Sequence, residues 1–238
     1  MPESAYNHFN DPLLTGNGLN MQAVLPVDTL PETVRGGLER LGVALGRVRT
    51  LVLFGNGGTA FWQAFQQVGA NGLHPVDAFS QRCVADFMQR RWVDVPYTFL
   101  YPGNVTVPLQ TLGQLAGWHH ESPMKVGIND SWGLWYAYRA LIAVEAEWPA
   151  SVPVISSSPC ESCTDKPCIA ACPANALEAQ ALRLERCIDF RLQANSVCSD
   201  QCLARGACPV APQHRYSSAQ VAYHYGHSLP CLREWRSR

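Results

Sequence analysis

The chain's ten cysteines are unevenly distributed, and eight of them lie between positions 160 and 208. Two runs in this region each end in a Cys-Pro pair, Cys172-Pro173 and Cys208-Pro209, and Cys187 stands alone between the runs. The spacing is Cys160-x2-Cys163-x4-Cys168-x3-Cys172 in the first run and Cys198-x3-Cys202-x5-Cys208 in the second. Cubane iron–sulfur clusters are held by four thiolates, and in two-cluster sites the cysteine before the proline binds the other cluster. The spacing therefore predicts an iron–sulfur electron-transfer protein with two 4Fe–4S clusters.

This interleaving assigns each thiol to one of two ligand sets. The first set takes three cysteines of the first run and the last of the second, namely Cys160, Cys163, Cys168 and Cys208. The second set takes the remaining four, namely Cys172, Cys187, Cys198 and Cys202. We expect these eight residues to be the metal ligands of the protein.

Zinc and disulfides are the alternatives for so many cysteines. Structural zinc usually uses two separated Cys-x2-Cys pairs, a pattern that does not need interleaved Cys-Pro repeats. Disulfides suit oxidising compartments, whereas crowding of cysteines in a reducing compartment favours metal. Two cysteines stand outside the pattern: Cys83 is predicted to be a buried free thiol within a helix, and Cys231 is expected to be inert.

The cysteine region resembles the two-cluster bacterial ferredoxins and, more closely, the ferredoxin-like half of epoxyqueuosine reductase. In that half an Arg-Cys-Ile segment stands alone between two Cys-Pro groups, as Arg186-Cys187-Ile188 does here. The spacing differs in two places. The bacterial pattern has two residues where this chain has Thr164-Asp-Lys-Pro167, and the second group of cysteines is also stretched. The resemblance implies a ferredoxin-like module that takes part in electron transport.

A second resemblance covers roughly residues 49 to 147. The order and spacing of four segments are similar to the CblC type of cobalamin-processing protein: Leu51–Trp62, His74–Asp77, Leu112–Gln114 and Val126–Arg139. That family removes the upper ligand of vitamin B12 on a fold related to the flavin nitroreductases. The resemblance implies a nitroreductase-like domain and makes cobalamin a candidate cofactor, with flavin the less favoured one.

The CblC resemblance also implies individual site residues. The positions that fall where the family lines its corrinoid pocket are Leu112, Gly113, Gln114, Gly127, Ile128 and Tyr138. Trp135 is assigned to the same pocket, although aromatic residues on a predicted strand more often belong to a core than to a cofactor pocket. Arg139 falls where the family contacts a thiol cosubstrate.

One departure from the family bears on catalysis, because the family's His-Pro is replaced here by Asn129-Asp130. Asp130 is the acid nearest the implied pocket and is the candidate proton donor in a reduction. The alternative is that Asp130 and Ser131 form an ordinary turn.

The elements that would position these residues mix strands with helices. Apolar runs and alternation predict strands at residues 50–54, 98–101, 124–129 and 134–144, and three- to four-residue spacing predicts helices at 33–47, 59–68, 74–90, 109–118 and 217–235. The glycine-rich segment 55–58 is interpreted as a tight turn. The predicted fold class is α+β, a nitroreductase-like mixed sheet with helices plus a small ferredoxin-like module.

Composition along the chain predicts five segments. Residues 1–32 are expected to form an extended arm, 33–150 the nitroreductase-like domain and 151–159 a linker. The module is expected at 160–212 and a C-terminal helix at 213–238.

Overall composition excludes several function classes. The 238 residues carry 47% hydrophobic and 16% charged residues, as in an ordinary globular protein. The formal net charge is −1 and the longest basic cluster is Arg90–Arg91, which argues against a nucleic-acid partner. The chain shows neither a signal-peptide pattern nor the roughly 18 apolar residues of a membrane span, so we expect a cytoplasmic protein.

Together these patterns predict an oxidoreductase that passes electrons from two clusters to a corrinoid or a corrinoid-bound substrate, with an electron donor or acceptor protein as its partner. Three alternatives stay open at this stage. They are a ferredoxin-type carrier without a catalytic site of its own, a tRNA-modifying enzyme of the epoxyqueuosine reductase kind, and a flavin-linked reductase.

Overall fold

The structure is a computed structural model that describes residues 11–69 and 72–237. It divides the chain into two compact units, each assembled from two stretches. The first unit runs to residue 119 and resumes at 136–155, and the second comprises 120–135 and the chain from residue 156 onwards.

The described chain contains both helices and strands, which confirms an α+β class. In chain order the helices are α1 (Pro12–Thr15), α2 (Glu32–Arg40), α3 (Ala60–Val68), α4 (Pro75–Arg91), α5 (Leu109–Leu115), α6 (Pro159–Ser162), α7 (Pro167–Ala170), α8 (Leu184–Leu192), α9 (Leu203–Gly206) and α10 (Ser218–Arg236), with single 3-10 turns at Val27–Thr29 and Pro212–His214. The strands are β1 (Met21–Pro26), β2 (Thr50–Gly57), β3 (Tyr97–Tyr101), β4 (His120–Glu121), β5 (Gly127–Ile128) and β6 (Tyr136–Val144). Of the helices in the described ranges, none combines the length and the apolar character needed to span a membrane.

The first unit is built on a four-stranded sheet with the order β1-β2-β6-β3. Each of its described strand pairs is antiparallel, so the expectation of a mixed sheet is corrected. Strands β2 and β3 run in the same direction, but β6 lies between them and runs the opposite way. No parallel pair therefore forms in the described sheet, even though the connection from β2 to β3 carries two helices.

The N-terminal segment differs from the expected extended arm. Residues 1–10 lie outside the described residues, but Met21–Pro26 forms edge strand β1, which pairs with β2 from Met21 opposite Gly55 to Pro26 opposite Thr50. Ala23 and Leu25 of this strand are buried in the core. A six-residue strand beside turn-forming residues is too short to show a sustained period in the sequence.

Both faces of the sheet are covered. One face carries a core that includes Leu38 of α2, Leu51 of β2 and Leu112 of α5. On the other face, which α3 and α4 cover, the rings of Phe61 and Phe79 lie 5.1 Å apart in an edge-to-face arrangement. Side chains alternate between the two faces along a strand, and both faces are covered, so β2 is buried at every position. This explains why residues 51–54 form a continuous apolar run in the sequence.

The second unit contains the short helices α6, α7 and α9, the longer helices α8 and α10, and two small apolar cores that include cysteines. Cys208 packs with Ile128 and Leu134, and Cys168 packs with Leu177 and Ala204. Segment 120–135 therefore belongs with the cysteine region, whereas the expected domain of residues 33–150 included it. The physical reason is that its buried side chains Ile128 and Leu134 pack against a cysteine rather than against the sheet.

Several element ends differ from the sequence-based bounds because of left-handed residues. The first predicted helix ends at Arg40, close to Gly42 with φ 87°, and glycine adopts this conformation at little cost. The predicted strand at 124–129 shrinks to Gly127–Ile128, since Lys125 has φ 56° and its N–H closes a turn onto Ser122.

Candidate functional site

The second set of cysteines surrounds a cavity. Cys172, Cys187, Cys198 and Cys202 all line a space of about 140 Å³, whose remaining walls include Met124 and Phe190. Burial raises the pKa of the Cys187 thiol, and the neighbouring thiolates of Cys202, Cys172 and Cys198 act in the same direction. These four thiols are therefore close enough to interact with one another.

Thiols of the first set also have one another as neighbours. Burial raises the pKa of Cys160, followed by the thiolates of Cys208 and Cys168, and that of Cys163 acts in the same direction. Cys160 also packs beside Cys208 in one of the small cores of the unit. The electrostatic thiol neighbours of Cys160 and Cys168 are members of the first set, but Cys168 also shares a small apolar core with Cys172 and Cys202 of the second set. The assignment of the eight thiols to two ligand sets stays a prediction.

Short helices and caps fix the thiols in place. Cys160 lies in the first turn of α6, where its N–H donates to Ser158 Oγ at 3.3 Å. Cys168 lies in the first turn of α7, next to Pro167 at the position where a helix tolerates proline. Cys202 caps α9, and its sulfur accepts a hydrogen bond from the N–H of Arg205 at 3.4 Å.

Each proposed set has the four thiols that a cubane cluster requires. Within 11–69 and 72–237, no group of three or more His, Cys, Asp or Glu side chains is placed to hold a metal ion. The four cysteines of the second set line a partly open, mainly apolar space. A cubane occupies such a space between its ligands, whereas a single zinc ion draws four sulfurs to about 2.3 Å.

Arg191 connects the second set to the C-terminal helix, a role that spacing alone did not reveal. Its Nε donates to the carbonyl of Cys198 at 3.1 Å, and its Nη2 donates to the carbonyl of Tyr225 at 2.9 Å. The guanidinium also lies 4.9 Å from the centre of the Tyr225 ring. The one available signal was its position, one helical turn after the lone Cys187.

In the first unit, three of the residues implied by the CblC resemblance lie close together. Leu112 is fully buried in the core, and Tyr138 packs against the same core. A Cβ atom added at Gly113 would overlap the Tyr138 hydroxyl, so only glycine fits between α5 and this ring. Gln114 follows on α5 with an exposed side chain.

Tyr138 has a buried polar neighbour, His119. His119 is 5% exposed, and its Nδ1 lies 3.1 Å from the Tyr138 hydroxyl. Burial raises the pKa of Tyr138 to about 12, so the phenol is neutral at physiological pH. The pair is a hydroxyl and an imidazole enclosed beside Gly113.

Arg139 lies on the opposite face of β6 from Tyr138. Its Nε donates to Asn56 Oδ1 at 2.6 Å, and its guanidinium lies 4.5 Å from the centre of the Phe61 ring. Asn56 is fully buried within β2, so the segment interpreted as a tight turn at 55–58 is in part strand. The structure therefore does not bring Arg139 to Leu112, Gly113 and Tyr138.

The other implied residues lie in the second unit. Gly127 and Ile128 form β5, and Ile128 is buried. Asp130 is exposed. Trp135 is buried, its ring lies 4.7 Å from the Arg205 guanidinium carbon, and its indole N–H has no hydrogen-bond partner among the described residues.

No protein-family model matches the sequence, and no curated protein matches it. Solved structures do share its fold. Epoxyqueuosine reductase from Bacillus subtilis has a TM-score of 0.56 at 14% identity over 87% of this chain. An epoxyqueuosine reductase solved with an epoxyqueuosine-modified tRNA-Tyr stem loop has a TM-score of 0.57 at 14% identity. This chain spans 66% of the length of each of these two reductases, just under two thirds.

A C. elegans B12-trafficking protein, CblC, also shares the fold. Its TM-score is 0.52 at 12% identity, and the match covers 90% of this chain and 89% of that one. The two families that the sequence resembles are therefore found again among structures of the same fold. At these identities the likeness concerns the fold alone.

Proposed function

We propose that this protein is an iron–sulfur reductase that holds two 4Fe–4S clusters on its eight grouped cysteines and passes electrons to a corrinoid. The observation that carries the proposal is the grouping of the thiols. The thiols of Cys160 and Cys187 each have their thiol neighbours within their own interleaved set, and the second set lines a mainly apolar cavity. The fold shared with epoxyqueuosine reductase supports the same conclusion.

The residues of this chain would have distinct tasks. The four cysteines of the first set would hold one cluster, and the four cysteines of the second set would hold the other. Clusters ligated only by cysteine can reach the negative end of the roughly −700 to +450 mV range of protein clusters, where low-potential acceptors are reduced. Asp130, which is exposed, is our candidate for supplying a proton.

Metal analysis tests the clusters. Anaerobically prepared protein should contain close to eight iron and eight sulfide per chain and a broad absorption band near 400 nm that dithionite bleaches, as expected of cubanes. Stoichiometric zinc, or metal-free protein with oxidised cysteines, would contradict the proposal.

Two substitutions test the interleaved ligand sets. Cys208→Ala should damage the cluster of Cys160 and Cys168, and Cys172→Ala should damage the cluster of Cys187 to Cys202. Cys231→Ala is the matched control, because Cys231 is exposed and lies outside both groups. An intact first cluster in the Cys208 variant would show that the ligand assignment is wrong.

Cobalamin binding tests the acceptor. The likeness to CblC supports a corrinoid, and the enclosed positions around Gly113 and Tyr138 are our proposed contacts within the first unit. Titrating cobalamin into the anaerobic protein should shift the corrinoid bands toward a base-off form. Tyr138→Ala should weaken the shift about tenfold, or about 1.4 kcal/mol. No shift at high micromolar cobalamin together with ready binding of flavin mononucleotide would replace the corrinoid by a flavin.

A tRNA-modifying reductase is the second candidate function. The near-neutral charge argues against nucleic acid, but one structure of the same fold was solved with a tRNA stem loop. Fluorescence anisotropy with a labelled tRNA-Tyr stem loop tests this candidate. Binding that weakens steeply with salt would favour it, since phosphate contacts release counterions.

A further inference from the structure

The spacer in which this chain departs from the bacterial ferredoxin pattern contains Lys166, and this residue has an unusual backbone. Its φ is 39° and its ψ 58°, in the left-handed region. Residues other than glycine rarely occupy that region, and the residue before a proline is normally extended. Such a conformation persists where the surrounding structure requires it. We therefore ask which contacts of the lysine side chain stabilise this backbone conformation.

The Lys166 side chain returns to the cysteines. Its ammonium donates to the carbonyl oxygen of Cys160 at 2.9 Å and to that of Cys163 at 3.3 Å. None of the ion pairs formed by the described residues includes Lys166. Its positive charge is therefore held beside the first set without a carboxylate to neutralise it.

A cation in this place favours a more negative cluster. Reduction adds an electron to a cluster that already carries four thiolates, and the potential of a cluster depends on nearby charge and hydrogen bonding. An ammonium fixed next to two ligand residues stabilises the reduced form more than the oxidised one. The lengthened spacer, Thr164 to Pro167, is what allows the ammonium to reach both carbonyls.

We infer that Lys166 is a positioning residue that raises the potential of the cluster held by Cys160, Cys163, Cys168 and Cys208. This inference rests on the proposed iron–sulfur function. It adds to that function a residue that sets the first cluster's potential apart from that of the second. Lys166 itself does not bind iron.

A redox titration monitored by electron paramagnetic resonance tests the inference on anaerobic full-length protein. Lys166→Met and Lys166→Gly both remove the charge, and glycine also accepts the left-handed backbone without strain. In each variant one of the two clusters should show about a tenfold lower ratio of reduced to oxidised form at a fixed potential, a shift of about 59 mV for one electron. Lys166→Arg should retain the native value.

Lys125→Met is the matched control, because Lys125 is the only other lysine and its ammonium pairs with Glu121 at 2.9 Å. It should leave both potentials unchanged. Native potentials in both charge-free variants, an equal fall in the control, or loss of a cluster from both charge-free variants would each overturn the inference. Iron is counted first in the unmodified protein. Absence of iron would refute the proposed function itself, whereas eight iron with unshifted potentials would refute only the role of Lys166.

Discussion

At the scale of single residues, neighbours in the chain have opposite environments. Tyr138 faces the core beside Gly113, whereas Arg139 faces Asn56 and Phe61 on the other side of the sheet. Adjacent side chains of a strand must point to opposite faces. Two residues that a motif places together can therefore have unrelated roles, and Arg139 has a structural role here whether or not it meets a substrate.

Gly113 gives a prediction at this scale. Gly113→Ala should lower the free energy of unfolding by about 1–3 kcal/mol, because the new methyl group overlaps the Tyr138 hydroxyl. Urea denaturation measures the effect. Gly226→Ala is the control, since Gly226 lies in α10 with open space around it, and alanine there should stabilise by about 0.5–1 kcal/mol. Equal effects of the two changes would contradict the predicted overlap.

The two cysteines outside the ligand sets should differ in reactivity. Burial raises the pKa of Cys83 to about 11 from the usual 9.0, so at pH 8 its thiol is almost wholly protonated and unreactive. Cys231 is exposed. Iodoacetamide added to the folded holoprotein at pH 8 should alkylate Cys231 and spare Cys83, as read by peptide mass spectrometry.

The pH dependence of Cys83 has a definite sign. Because the folded pKa lies above the unfolded value, the protonated thiol favours the folded state below pH 9, and this contribution is lost as the pH rises toward 11. Cys83→Ala should flatten the fall in unfolding free energy between these two pH values. An unchanged pH profile would mean that the thiol is not protected by burial.

At the scale of elements, Arg191 joins α8 to α10. Its guanidinium donates to the carbonyl of Tyr225 and to Ser228 Oγ, both at 2.9 Å, while its Nε holds the carbonyl of Cys198. Arg191→Met should loosen α10 and speed the release of iron from the second set. Hydrogen exchange of residues 218–236 and the rate of iron capture by bipyridine measure the two effects.

Arg236→Met is the matched control on α10. Arg236 pairs with Asp189 at 2.8 Å, but both side chains are about half exposed, and such a pair contributes about 0–1 kcal/mol. It should leave exchange and iron release nearly unchanged. Similar effects from both variants would show that the ion pair of Arg236 at the C-terminal end of α10 stabilises this helix as much as the contacts of Arg191 do.

At the scale of the whole molecule, the two units differ in how much apolar core they have without metal. The core of the first unit includes residues from strands and helices alike, such as Leu38, Leu51 and Leu112. The cores of the second unit are small and include the cysteines themselves. Small domains with little core depend on metals or disulfides for stability.

Removal of iron should therefore affect the units unequally. Anaerobic chelation should raise hydrogen exchange across residues 156–237 and leave the sheet of β1, β2, β6 and β3 protected. Mass-spectrometric exchange before and after chelation makes the comparison. A parallel loss of protection in the sheet would show that the units fold as one cooperative whole.

Local patterns were sufficient for much of this fold. The apolar run at 134–144 predicted β6, and the helical spacing at 217–235 predicted α10, because long, regular elements carry their own period. Edge strand β1 could not be predicted, since its pairing with β2 depends on a partner distant in the chain. The antiparallel direction of the sheet is likewise a property of strand order, which a single sequence does not encode locally.

The candidate site also has features that local sequence predicts and features that depend on distant parts of the chain. The spacing predicted that the eight thiols would lie in one part of the fold, because short spacers restrict the reach of each cysteine. All eight lie in the second unit. The ligand role of those thiols stays a prediction, as does the corrinoid role of the carried-over residues. Partners such as Asn56 for Arg139 or Cys198 for Arg191 could not be found, because hydrogen bonds between distant elements leave no spacing pattern.

The interleaved order of the cysteines also has a consequence for biosynthesis. As the chain leaves the ribosome, the second set is complete at Cys202, whereas the first set waits for Cys208. Joining Cys168 to Cys208 closes a loop that contains all four cysteines of the second set. The entropic cost of closure falls when that loop is already shortened. If the clusters are bound as proposed, the cluster of the second set is favoured to assemble first, and the cluster of the first set is completed after it.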